Sequence, residues 1–391
     1  MNKNSQILRL SQSTSVRREH ATPVRVWLLR RILRLGIVVL AFVGLLFSAV
    51  PSGASGNRAT APFSSYSVGI ARCTFVDYSR SALNYSTIPY SSWSTSRTLV
   101  TEVRYPIAPV SGVPRDVGGA PPLVRNGGYP LVVFAHGYDV TPDRYGALLD
   151  SWARAGFVVA APFFPDEQPS TVAAQHGVNT EGDLANEPAD LAFVTRSLLT
   201  ASAGTTVGCR LVSGLINPAD IALAGHSDGA TAVAMLAYDH GNDPQGNNYT
   251  RLRTGLDYRA VIILSGAQNT AQPFADEISH PDLLVIHSLA DQCNPFHNGV
   301  TLYRDVHQIN RWFLELQHGH HLPPFDGADR VAFPAVATTT TSFLEMALSS
   351  QIGASTFTQL ARAHPLIARL FSGGAVPTPP RTSLPLYCGR N

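Results

Sequence analysis

Short uninterrupted apolar runs recur along most of the chain, separated by segments with helical spacing. Leu131–Ala135 (LVVFA), Phe157–Ala161 (FVVAA), Ala260–Leu264 (AVIIL) and Leu283–His287 (LLVIH) are the clearest runs. An apolar stretch of about five residues bounded by turn residues fits a strand buried on both faces, as in a parallel sheet. Ile221–Ala224 and Trp312–Leu316 read as further strands. Asp183–Thr200 carries Leu184, Leu191, Val194 and Leu198 at helical spacing, and Pro142–Ala155 reads as a helix stopped by Gly156. Gly229–Tyr238, Val300–Asn310 and Ala335–Ser349 complete the predicted helices. Strands alternating with helices imply βαβ units and an α/β fold with a mostly parallel central sheet, helices on both faces.

Before this region, Ser67–Val76 and Arg97–Tyr105 are β-rich and flank a Ser/Tyr/Pro loop, and Ile107–Tyr129 reads as a Pro/Gly-rich loop. No internal repeat is visible. The pattern predicts one catalytic domain over 66–350, preceded by a linker at 55–65. A tail at 351–391 follows, with one helical stretch and a Pro-rich end, packed on the domain.

One apolar run breaks the pattern. Leu35–Val50 is 16 residues long, follows Arg30, Arg31 and Arg34, and precedes the small-residue stretch Pro51–Gly56. A basic region, a short apolar core and small residues are the parts of a secretory signal, with Ser52-Gly53-Ala54 as the cleavage triplet. The alternative over 1–54 is an uncleaved N-terminal anchor, the chain's only expected membrane contact. Either way the body is expected outside the cytoplasm, secreted or held at the membrane.

The formal net charge of +2 hides this division. Residues 1–54 hold eight basic residues and one acid, a net +7; the remainder holds 21 basic and 26 acidic residues, a net −5. A mildly acidic body without a basic run has no electrostatic reason to bind nucleic acid. Cys73, Cys209, Cys293 and Cys388 all lie in the body, an even number in an oxidising compartment. They predict two disulfides, with three pairings open. No cysteine or histidine spacing suggests zinc, and no cofactor or metal is expected. The chain is expected to be a monomer.

The strongest local signal is Gly225-His226-Ser227-Asp228-Gly229, a G-x-S-x-G pattern between a strand and a helix. A sharp turn there leaves no room for side chains at the flanking positions and lifts a serine oxygen above the sheet edge. Ser227 is therefore the candidate nucleophile. The order Ser, Asp/Glu, His puts the acid at Asp291, just past the strand LLVIH. Asp282 precedes that strand and falls at the opposite edge. The base comes from Gln317-His318-Gly319-His320-His321-Leu322, with His321 favoured and His318 and His320 as fallbacks. An oxyanion hole needs two backbone N–H groups: one from Asp228, one from Tyr138 in the loop His136-Gly137-Tyr138. His136 reads as a brace for that loop, and His226 as a packed residue of the elbow. Tyr138, Phe163, Phe296 and Leu322 adjoin the motif loops and are candidates to line an apolar acyl pocket.

These residues resemble those of the α/β-hydrolase superfamily. The bacterial branch of dienelactone hydrolase-like, platelet-activating-factor acetylhydrolase-like and cutinase-like (polyester hydrolase) enzymes is the most similar. The resemblance spans roughly 68–350. It rests on 75–80 (FVDYSR), 97–106 (RTLVTEVRYP), 129–138 (YPLVVFAHGY), 187–191 (EPADL), the elbow, the Asp291 turn and the His321 turn. It implies a serine hydrolase that cleaves a lipid, polyester or small acyl ester. Dienelactone hydrolases use a cysteine nucleophile, so Ser227 argues against that activity. Asp228 stands where relatives often carry an apolar residue. The Ser265–Pro281 loop is short, so no large lid is expected. An exported peptidase or amidase of the same fold, and a non-catalytic envelope protein, are the competing readings.

Overall fold

The computed structural model describes residues 66–84, 92–109, 116–174, 181–204, 208–242, 248–266, 281–307, 310–380 and Cys388. The expected export segment and linker lie outside the described residues, as do 267–280 of the loop read as lidless. Among the described residues no helix is long and apolar enough to cross a membrane.

The chain opens with β1 (Ser67–Asp77), the small hairpin β2 (Leu83–Asn84) and β3 (Ser92–Trp93), then β4 (Arg97–Ile107), β5 (Asp116–Gly118) and β6 (Tyr129–Ala135). A helical turn at Pro142–Tyr145 leads into α1 (Gly146–Arg154), β7 (Val158–Pro162), α2 (Pro169–Ala174) and α3 (Glu187–Ser202). Next come β8 (Ile216–His226), α4 (Asp228–Tyr238), α5 (Tyr249–Arg253) and β9 (Tyr258–Leu264). β10 (Asp282–Ser288), α6 (Phe296–Asp305), β11 (Arg311–Leu316) and α7 (Pro323–Asp326) follow. The chain closes with α8 (Phe333–Leu344), α9 (Ala354–Ala361) and β12 (Ala368–Ser372).

The main sheet runs β12-β11-β10-β9-β8-β6-β7-β4-β1-β5. Its six central strands, β11 to β7 in that order, are parallel neighbours. β4 joins β7 and β1 joins β4 antiparallel, and β12 closes the far edge antiparallel to β11. The continuous apolar runs explain the parallel centre. Leu131, Val133, Ile221 and Leu223 face one core with α3, α4 and α6; Val132, Phe134, Ala222 and Ala224 face the other with α1, α8 and α9. Each fully buried Val or Leu contributes about 1.5–3 kcal/mol, so strands apolar on both faces belong in the centre.

Two expectations need adjustment. The tail is more than a helix and a Pro-rich end, because Ala368–Ser372 pairs with β11 as an edge strand. Periodicity missed it because ARLFS has no clean alternation. The region read as loop between Ile107 and Tyr129 holds the short β5 on the outside of β1.

β6 lies between β7 and β8, so the chain leaves β6 toward one side and returns on the other. Such a switch point opens a crevice at the carboxyl edge of the strands. The loop after β6 and the turn after β8 meet there: Ala135 pairs with Gly225 in register.

Candidate active site

The turn after β8 is held by close approach. A Cβ on Gly225 would sit 2.4 Å from the Gly229 carbonyl oxygen, and one on Gly229 would sit 2.4 Å from that of His136. Any side chain at either position would push α4 away from the ends of β6 and β8. Between them Ser227 has φ 56° and ψ −123°, a conformation that non-glycine residues rarely adopt. Its N–H still reaches Leu264 of β9, 3.0 Å away, and its carbonyl accepts from Thr231 at 3.1 Å to start α4. The strand and the helix together over-determine the turn, and the serine side chain stands at the helix N-terminus.

Ser227 Oγ lies 2.9 Å from His321 Nε2, and His321 Nδ1 lies 2.9 Å from Asp291 Oδ2. The structure thus brings together the favoured serine, histidine and aspartate. His318 and His320, the fallbacks, are exposed. The loops after β10 and β11 are tied to each other: Ser288 Oγ donates to the Gly319 carbonyl at 2.7 Å, and Leu289 N–H donates to Leu316 at 2.9 Å. Gly319 has φ 116°, which lets the loop turn back so that His321 reaches the serine.

Asp291 is buried. Burial alone raises a carboxyl pKa, but the hydrogen bond and charge of His321 and the Asn294 N–H outweigh it and hold Asp291 at about 2. Its Oδ1 accepts from the N–H groups of Cys293, at 2.8 Å, and Asn294, at 3.0 Å. It is ionised at neutral pH and fixed on both oxygens.

Three other buried histidines surround the site. His136 accepts from Phe164 N–H through Nε2 at 3.0 Å and donates to the Gly137 carbonyl from Nδ1 at 2.8 Å. It links the loops after β6 and β7, the bracing read from the sequence, and burial pushes its pKa down to about 4. His287 donates from Nε2 to the Asn294 carbonyl at 3.0 Å, with Asp291 Oδ2 at 3.6 Å. Asn294 completes the support, its Nδ2 donating to the Ser265 carbonyl at 2.7 Å. Sequence reasoning passed over His287, Asn294 and Tyr145. The one available signal was His287 itself, a polar residue ending an apolar strand.

The pocket candidates divide. Tyr138 and Leu322 are half-buried beside Gly137 and His321, the latter packed against the α8 core. Phe163 is covered by the Arg72 guanidinium, 5.1 Å from its ring centre. Phe296 lies in the core, edge-on to His287 at 5.5 Å and to Phe313 at 5.4 Å. Both of these rings are used in packing. Asp228 is buried, and its charge reaches Glu187. The Glu187 carboxyl is fully buried; that burial, with Glu167, Asp228, Asp183 and Asp190 as neighbours, raises its pKa well above the usual range.

Comparison with known proteins bears on the fold. The chlorophyllase family model matches residues 111–265, which run from before β5 through the elbow to the end of β9. No curated protein matches in sequence. Among solved structures, a ferulic acid esterase from Streptomyces cinnamoneus aligns with TM-score 0.57 at 19% identity, covering 80% of this chain and 98% of that one. The fold is that of the α/β-hydrolases.

Proposed function

We propose that this chain is an exported serine hydrolase of carboxylic esters. The observation that carries the reading is the unbroken line from Ser227 Oγ through His321 to the buried carboxylate of Asp291. In this reading His321 Nε2 takes the serine proton as Oγ attacks the ester carbonyl. Asp291 holds the imidazole in the Nδ1–H tautomer and stabilises the imidazolium that forms. The tetrahedral oxyanion is held by two backbone N–H groups. One is that of Asp228, first residue of α4, where the helix dipole adds positive potential. In this reading the second donor is Tyr138 of the loop after β6, next to Gly137, whose own N–H donates to Tyr145 Oη at 3.3 Å. His321 then returns its proton to the leaving alkoxide, giving the alcohol and an acyl-serine. Water, deprotonated by the same imidazole, releases the acid and regenerates Ser227.

Tyr138 and Leu322, half-buried beside the hole and the base, line the acyl side in this reading. The named esterase neighbour supports the ester as the bond cleaved. The two disulfides, Cys73–Cys209 and Cys293–Cys388, fit an oxidising compartment and so the export reading of the N-terminal segment.

The test is Ser227→Ala. Turnover of p-nitrophenyl esters and fluorophosphonate labelling should both vanish, with melting temperature unchanged. Undiminished turnover in that variant sinks the reading. Faster cleavage of aminoacyl amides than of matched esters by the intact enzyme would assign a peptidase instead. Absence of labelling in a folded wild type would assign a non-catalytic protein. A chain-length panel of acyl esters with a polyester film then sorts lipid, polyester and small acyl substrates.

A further inference from the structure

His226, the second residue of the elbow motif, has its ring fully inside the protein, 2.8 Å from Tyr145 Oη at Nδ1 and 3.0 Å from the His321 carbonyl at Nε2. A carbonyl only accepts, so Nε2 carries the proton. Nδ1 of the neutral ring is then an acceptor, and the Tyr145 hydroxyl donates to it. The same hydroxyl oxygen accepts the Gly137 N–H. One continuous path results: Gly137 N–H to Tyr145 O–H, to His226 Nδ1, and from His226 Nε2–H to the His321 carbonyl. It touches the loop after β6, the residue before the serine, and the backbone of the histidine that faces the serine.

The rings reinforce this path. His226 packs against His321 at 4.6 Å between centroids with the ring planes tilted by 44°, with Phe325 of α7 at 5.1 Å and Tyr145 at 5.5 Å. A second tie joins the same two loops, where Arg144 Nε meets Asp326 Oδ2 at 2.8 Å.

We propose that His226 and Tyr145 are positioning residues: a neutral hydrogen-bond bridge that sets His321 and the oxyanion loop at one fixed distance from Ser227. This rests on the ester-hydrolase reading above. The bridge explains why a histidine, rather than an apolar residue, fills a buried slot in the elbow. A neutral ring with a donor at Nε2 and an acceptor at Nδ1 spans two loops at once. It also separates two roles that chemistry keeps apart. His321 must gain and lose a proton in each cycle, and a ring packed against it must not compete for that proton. The titratable groups facing His226 are Tyr145, His321, Asp291 and His287, and burial, with the His321 charge next, holds its pKa well below the ordinary histidine value.

The test uses the full chain with Tyr145→Phe, His226→Leu and His226→Gln beside wild type and Ser227→Ala. Tyr145→Phe should lower kcat about tenfold and His226→Leu about a hundredfold, with KM within about twofold, as misplaced but intact reacting groups do. His226→Gln, which keeps an N–H at the reach of Nε2, should recover most of the His226→Leu loss. In the wild type, ¹⁵N spectra of the ring should show Nε2 protonated and Nδ1 bare between about pH 5 and pH 8. A proton on Nδ1, titration within that range, wild-type kcat in both Tyr145→Phe and His226→Leu, or a loss that glutamine leaves unrecovered would overturn the bridge. If His226→Leu does not fold, Tyr145→Phe and the ring spectrum decide. Loss of turnover in Ser227→Ala alongside unaffected bridge variants removes only this proposal, whereas turnover surviving Ser227→Ala removes the hydrolase reading on which it stands.

Discussion

Two buried polar clusters lie on opposite sides of β6 and are built in opposite ways. Around Ser227 the buried histidines are neutral imidazoles, and the carboxylate bonded to His321 is Asp291. Under β4 they are full charges. Arg97, with no exposed surface, meets Asp190 through Nε at 2.8 Å and Nη2 at 2.7 Å, and Asp183 through Nη2 at 2.8 Å. Arg80 adds a contact to Asp190 at 2.7 Å. Burial works against the Arg97 charge, but Asp190 and Asp183 more than compensate and hold it protonated. The charged cluster fastens α3 and the turn before it to β4, and nothing in it has to change protonation. His321 needs one carboxylate, Asp291, to stabilise its imidazolium, and uncharged neighbours elsewhere leave its proton free to move. Neutral histidines give direction without charge.

The difference can be broken most sharply at the acid. Asp291→Asn should keep the fold but lower kcat by about 10⁴-fold, because the amide favours the wrong His321 tautomer; a smaller loss, below about tenfold, would show that the carboxylate is not the orienting group. At the other cluster the effect should move from rate to stability. Arg97→Met leaves buried Asp183 without its cation and Asp190 with Arg80 alone, and should cost about 3–5 kcal/mol by urea unfolding, with kcat of the folded fraction unchanged.

Acid should separate the clusters next. His136 is neutral when folded down to about pH 4, whereas an unfolded histidine protonates near 6.5. The unfolded state therefore binds more protons between these values, and stability is full above about 6.5 and is lost as pH falls toward 4. At 1.36 kcal/mol per unit this amounts to roughly 3 kcal/mol from His136, with His226 and His287 acting in the same direction. Unfolding free energies flat from pH 6.5 to 4 would contradict the neutral assignment. The smallest effect belongs to the exposed rim. Arg72, half-exposed over Phe163 and paired with Asp143, should cost under about 1 kcal/mol on change to alanine. Unchanged kcat in that variant would place Phe163 outside the reacting centre, and a large rise in KM would return it to the acyl pocket.

The elbow, the acid turn and the histidine turn were legible in the sequence because each is a local pattern at the end of an apolar strand. In the sequence the choice among His318, His320 and His321 rests on the small-residue turn before His321 and the apolar Leu322 after it. The structure separates them by exposure, since only His321 turns inward. Two pocket candidates were chosen by proximity in sequence, and proximity does not say which way a ring points: Phe296 packs on His287 and Phe163 under Arg72. β12 was missed because an edge strand with one wet face needs no strong pattern. Tyr145 had no local signal at all, since its partners are 8 and 81 residues away along the chain.

What the sequence determined by itself is the order of strands and helices, the parallel centre and the three motif turns. Hydrophobic periodicity and steric limits at glycine act over a few residues and need no distant partner. Cysteine pairing was left open there, because four cysteines permit three solutions and only the packed chain brings Cys73 to Cys209 and Cys293 to Cys388. The tertiary structure alone decided which histidines are neutral braces and which faces the serine. That distinction depends on burial and on hydrogen-bond partners, and both exist only once remote loops meet at the carboxyl edge of the sheet.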